Sequence, residues 1–251
     1  MFQRLRKPLV FLTSAALTAS LWFGAAVPPA SADDPPASTG YSDVVETHWA
    51  RVPIAKLTAA GVIGGYSDGT FRPSNPVTQQ EAIVMVLRMM GHYDHTIPAA
   101  DNVELGLGVD AFFKKFIVKA FEEEILNLGE EAAADALGDA DTPWGRRAAS
   151  REWIAKLMVR SMGERPSTGA LLFADAGQIT PENRGYVLRA HELGLIRGYA
   201  DNTFRPKNAV TRAELVTILS RADDYYADTE ERHFSGFIAS IGADSLTVRS
   251  A

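Results

Sequence analysis

The chain is 251 residues long, contains no cysteine and carries a formal net charge of −6. Lacking cysteine, it can form neither disulfides nor a thiolate metal site, so its stability must come from packing. The acidic balance excludes partners that need a broad basic footprint, such as nucleic acid or an anionic membrane, while leaving room for one local basic pocket.

In chain order, Arg4, Arg6 and Lys7 precede an uncharged stretch from Leu9 to Ala26, and Pro28-Pro29 lead into Ala30-Ser31-Ala32. That order predicts a secretory signal peptide over residues 1–32, cleaved before Asp33. Cleavage would remove three positive charges and leave 219 residues at −9, with no later stretch apolar enough to span a bilayer. A Pro/Ala/Ser linker fills 33–40. The next segment, 41–91, reads as helix, loop, helix. Thr47 is expected to cap a helix to about Ala60, with Trp49, Pro53, Leu57 and Ala60 on one face and Gly61 as the left-handed stop. A glycine-rich loop follows. Thr78-Gln79-Gln80-Glu81 then forms a capping box for a helix that buries Ile83, Val86, Leu87 and Met90.

Between 101 and 163, residues Phe112 to Leu128 show apolar side chains at three- and four-residue steps, a helical pattern. Ser150 can cap a second helix there, with Trp153 at the glutamate position of the box. Residues 171–222 repeat the first segment, with Thr211 and Glu214 as the box. Residues 223–233 read as an acidic linker, and 234–251 as a β-hairpin. That hairpin either pairs with the helical body or begins a further β domain.

The segments are copies of one unit. Gly61-Val62-Ile63-Gly64-Gly65-Tyr66-Ser67-Asp68-Gly69-Thr70-Phe71-Arg72-Pro73 matches Gly194-Leu195-Ile196-Arg197-Gly198-Tyr199-Ala200-Asp201-Asn202-Thr203-Phe204-Arg205-Pro206 at a constant offset of 133 residues. Tyr41-Ser42-Asp43 matches Phe173-Ala174-Asp175. The intervening stretch is long enough for one more unit and holds a worn copy, lacking the glycine loop and the Phe-Arg-Pro. The expected fold is mainly α: three helix-loop-helix repeats, the middle one degenerate.

Aromatic-x-Asp, His48-Trp49-Ala50, the Gly-Tyr-x-Asp-Gly-Thr-Phe-Arg-Pro loop and Thr211-Arg212-Ala213-Glu214 resemble the marks of the S-layer homology domain over roughly residues 41–222. The resemblance implies a pseudo-threefold bundle with grooves between neighbouring units. It also implies non-covalent anchoring of an exported bacterial surface protein, of Gram-positive type, to a secondary cell-wall polysaccharide, often through a pyruvylated sugar.

The residues suggest how an acidic sugar would be held. Arg212 would be the first residue of its helix, beside free backbone N–H groups and the positive end of the dipole, a place for a carboxylate. Arg151 stands at the same point of the middle unit, whereas the first unit has Gln79. Trp49 offers an apolar face to a sugar ring, Asp43 and Asp175 offer acceptors, and Gly64 and Gly198 allow close backbone approach. Asp43 and Asp175 have a second reading as turn caps, and Trp49 as a core residue. Arg72 and Arg205 read as braces of the loop, and Glu81 and Glu214 as capping partners. Glu182 stands where the third unit would need a tryptophan.

Other classes find less support. The five histidines are scattered and form no His-Glu-x-x-His, no nucleophile elbow or phosphate loop is present, and Asp135, Asp139 and Asp141 lack EF-hand spacing. No catalytic residue, metal or cofactor is therefore expected. Besides the wall polymer, surface-layer proteins are the expected partners, and a protein-docking module that has lost sugar binding is the alternative role.

Overall fold

A computed structural model describes residues 39–233, 236–241 and 246–250, with side chains through 226. The expected signal peptide and most of the linker lie outside these residues. The fold is mainly helical. In chain order the helices are α1 (Arg51–Ala59), α2 (Gln79–Met89), α3 (Ala111–Glu122), α4 (Leu128–Ala136), α5 (Arg151–Ser161), α6 (Arg184–Glu192) and α7 (Arg212–His233). Strands β1 (Gly236–Ile241) and β2 (Leu246–Ser250) pair antiparallel with each other.

Three short extended segments meet at the centre and define the threefold axis. Val77 N–H donates to Val210 O, Val210 N–H to Ala149 O, and Ala149 N–H to Val77 O, each at 2.9 Å. All three residues are fully buried, so this closed ring satisfies backbone groups that water cannot reach. One step outward, the first N–H of each inner helix crosses to a neighbour: Gln79 to Arg147 O, Arg151 to Asn208 O and Arg212 to Asn75 O.

The units interleave. Helices α2, α5 and α7 form the inner layer, and each outer helix packs on the inner helix of the preceding unit: α3 on α2, α6 on α5, and α1 on α7. The last unit thus closes onto the first. Polar locks hold each junction: Gln80 to Asp110 at 2.8 Å, Glu152 to the Thr180 hydroxyl at 2.6 Å, and Lys56 to Asp223 and Asp224 at 2.8 and 2.6 Å.

Both expected capping boxes form. Thr78 Oγ1 accepts from Glu81 N–H while Glu81 accepts from Thr78 N–H, and Thr211 and Glu214 do the same. Helix α2 buries nearly its whole circumference, including Ile83, Val86 and Leu87. Helix α1, however, begins at Arg51 rather than after Thr47, and buries Ile54, Ala55 and Leu57. The reason is Pro53. At the third helical position its missing N–H costs nothing, whereas an earlier start would have required that N–H for the helix ladder. Trp49 is consequently off the helix and 63% exposed.

The middle unit departs most from expectation. Its first helix stops at Glu122, because Glu124 takes the left-handed turn (φ 58°) that Gly61 and Gly194 take in the other copies (φ 71°). Ile125 and Leu126 then tuck back onto Ala120 O as Val62 and Ile63 do onto Leu57 O. Where the other units have the glycine loop, this one has α4, capped by Asn127. Buried Glu131 of α4 accepts from the indole N–H groups of Trp144 (3.2 Å) and Trp153 (3.1 Å). A carboxylate thus stands beside the helix start although the box position holds tryptophan. Asp135 pairs with Arg147 at 2.8 Å, and Asp139 closes a turn with Asp141 N–H and Thr142. The acidic stretch 223–233 is likewise helical, continuing α7 where a linker was expected.

Candidate functional site

The two intact loops are built alike. Asp43 accepts from Phe71 N–H and Arg72 N–H, both at 2.7 Å, and Asp175 accepts from Phe204 N–H and Arg205 N–H at 2.7 Å. Both oxygens of each carboxylate therefore hold the loop. Arg72 and Arg205 sit at positive φ (58° and 55°), stacked on Tyr66 and Tyr199 and paired with Asp68 and Asp201 at 2.9 Å. They are the loop braces that the sequence suggested.

Hydrogen bonds from Thr70 and then from Arg72 bring the Asp68 carboxyl from 3.8 down to about 2, and Thr203 and Arg205 act the same way on Asp201. A depressed carboxylate pKa stabilises the fold above the unfolded value and loses that contribution as pH falls through the folded one. Thermal midpoints should therefore drop between about pH 4 and pH 2. The double variant Asp68→Asn/Asp201→Asn should show a shallower drop over that interval when both proteins are scanned by circular dichroism.

Each inner-helix arginine reaches into the loop of a neighbouring unit. Arg212 donates to Phe71 O and Gly64 O at 2.9 Å and lies over the rings of Tyr66 and Phe71. Arg151 donates to Phe204 O (2.9 Å) and Arg197 O (3.0 Å) and lies over Tyr199 and Phe204. Both arginines are buried. The free N–H groups expected beside Arg212 are not there. Its own N–H donates to Asn75 O, that of Ala213 to Pro73 O and that of Glu214 to Thr211. The helix end is thus filled by the first unit, because the extended segments that make the central ring also cover the helix starts.

The structure does bring Trp49, Arg151 and Gly198 together. They line one cavity of about 210 Å³ with Arg197, Tyr199, Glu214, Thr217 and Arg221. Every unit contributes: the first gives Trp49, the second Arg151, and the third its loop and α7. Arg212 and Gly64 meet at the pseudo-equivalent junction instead, where Phe112 (56% exposed) holds the place of Trp49.

Two residues of this cavity escaped the sequence reading. Arg197 is exposed; its carbonyl accepts from Arg151, but its guanidinium has no hydrogen-bond or ion-pair partner among the described residues. Arg221 donates to Leu195 O at 2.9 Å. Burial, and after it the charges of Arg197 and Arg151, hold the Arg221 guanidinium below its usual basicity. The signal for Arg197 was present in the repeat comparison, since Gly64 occupies its place in the first copy. Arg221 gave no such signal: Arg88 and Arg160 stand at the same helix position, and only the fold shows that Asp94 and Glu130 neutralise them. Three guanidinium groups facing one carboxylate, beside an exposed indole, can receive an anionic, ring-shaped ligand.

A closed ring of three helical repeats with a cationic, aromatic-rimmed cleft between units is the class that these features define. Residues 40–83 and 172–216 match the S-layer homology domain. The chain is 33% identical to the outer membrane protein SlpA of Deinococcus radiodurans over 167 residues, 62% of this chain and 13% of that one. It is 25% identical over 181 residues to an amylopullulanase of Thermoanaerobacterium thermosulfurigenes, covering 70% of this chain and 9% of the enzyme. It is also 24% identical over 185 residues to a cellulosome-anchoring protein of Acetivibrio thermocellus, covering 74% of this chain and 26% of that protein. The chain therefore spans about a quarter or less of each of these relatives.

Proposed function

We propose that this chain anchors an exported protein to the bacterial cell surface by binding a secondary cell-wall polysaccharide, and that the cleft between Trp49, Arg151, Arg197 and Arg221 holds an acidic sugar such as a pyruvylated one. The observation that carries this reading is the cleft itself, which combines the Arg197 guanidinium, without a partner among the described residues, two further arginines and an open indole face. A pyruvyl carboxylate would meet Arg197 and Arg221, while the sugar ring would lie on Trp49. The S-layer homology match and the cellulosome-anchoring relative support the same role. Residues read as ligands from sequence divide accordingly: Trp49, Arg151 and Gly198 belong to the cleft, while Asp43, Asp175, Gly64 and Arg212 support the loops.

The test is co-sedimentation with purified wall sacculi, before and after chemical removal of the secondary polymer. The protein is expected to pellet with intact sacculi and stay in solution with stripped ones. Equal pelleting with both would exclude the polymer as ligand. No pelleting with either would favour a protein-docking role.

A further inference from the structure

Trp49 has no helix to hold it, yet its neighbours on both sides are fixed. His48 N–H donates to Val45 O and Arg51 N–H to His48 O, each at 2.9 Å, which makes two successive turns around the indole. Between them, His48 Nδ1 accepts the N–H of Ala50 at 3.1 Å. Ala50 is fully buried and is the residue that caps α1, a helix with no side-chain cap of its own. The imidazole also stacks on the indole, with ring centroids 5.6 Å apart and planes at 24°. At the equivalent positions the other units carry Ala111 and Pro181. Only the unit that supplies the exposed indole has this arrangement.

An imidazole that accepts at Nδ1 must be neutral, with its proton on Nε2. Protonation would set a second N–H against that of Ala50, and the bond would become a repulsion. The charged groups around this turn are Glu46 and Arg51 on its own segment, 3.9 Å apart, and Lys56 on α1. From α7, which packs on α1, come Arg221 and the Asp223 and Asp224 that Lys56 holds.

We infer that His48 is a positioning residue for Trp49: its neutral ring holds the turn that presents the indole to the cleft, and its protonation releases the indole and weakens ligand binding. The second half rests on the reading of the cleft as the wall-polymer site. Two measurements separate the halves. In ¹⁵N-labelled protein, the Trp49 indole N–H signal should move together with protonation of the His48 ring as the pH is lowered. Over the same titration, retention on purified sacculi should fall about tenfold, the usual consequence of turning a made hydrogen bond into an unmatched donor. In His48→Asn the amide Oδ1 can stand where Nδ1 was and accept at every pH, so both readouts should become flat. A Trp49 signal that ignores the His48 titration in the natural protein would overturn the inference without need of the variant. So would a His48→Asn protein whose retention falls in parallel with the natural one. If Trp49 follows His48 but sacculi never retain the protein, the positioning role stands and the wall reading fails.

Discussion

Arg212→Ala is expected to lower stability by about 3 kcal/mol or more, and the thermal midpoint by roughly 10 °C. The guanidinium donates to two loop carbonyls at 2.9 Å and is sandwiched against Tyr66 and Phe71, in a site the solvent scarcely reaches. Truncation strands Phe71 O and Gly64 O without donors and opens a void under two aromatic rings, and both effects carry the cost of buried groups. Arg212→Lys should recover only part of the loss, since a single ammonium cannot span two carbonyls with the fixed fork of arginine. Thermal unfolding followed by circular dichroism checks both variants. A midpoint for Arg212→Ala within 2–3 °C of the natural protein would show that the arginine does not brace the loop and would return it to the list of ligand contacts.

This outcome reverses what the helix start suggests in sequence, and the reason is instructive. Arginine just after an N-cap threonine is a sound local sign of an anion site, because isolated helix ends have free N–H groups. Here the ends are not isolated. The segments before the inner helices cross at the axis, and those crossings place Asn75, Asn208 and Arg147 carbonyls over the helix starts. Nothing in a single unit encodes that, since the acceptors come from a neighbour 57 to 137 residues away in the chain. By contrast the repeats, both capping boxes, the loop braces and the mainly α class were legible, because each depends on contacts within one unit. The worn middle unit was recognisable as a copy, but its replacement helix α4 was not: the Glu131 that completes it binds Trp144 and Trp153, partners that spacing alone does not connect. Trp49 was misplaced onto α1 for a local reason, the preference of Pro53 for the first helical turn.

The same interleaving decides which junction should carry the ligand. At the helix position of Arg221, the first unit has Arg88 bound to Asp94 at 2.7 Å and the middle unit has Arg160 bound to Glu130 at 2.8 Å. At the loop position of Arg197, the first unit has Gly64, which carries no side chain and so no charge. The junction between the third and first units alone keeps two arginines available beside Trp49. Arg197→Glu is therefore expected to reduce retention on sacculi by about 10- to 100-fold, since it turns an attractive charge into a repulsive one at the cleft mouth. The thermal midpoint should stay within about 2 °C, because the side chain is exposed and its change touches no packing. Arg88→Gln, at the junction where the charge is already neutralised, should leave retention within about twofold. Retention should also fall with added salt in the natural protein and less steeply in Arg197→Glu, because the lost cation is one that salt would have screened. If Arg197→Glu binds sacculi as the natural protein does while Arg88→Gln does not, the ligand sits at the Phe112 junction, and the polymer is held by the first unit's loop instead.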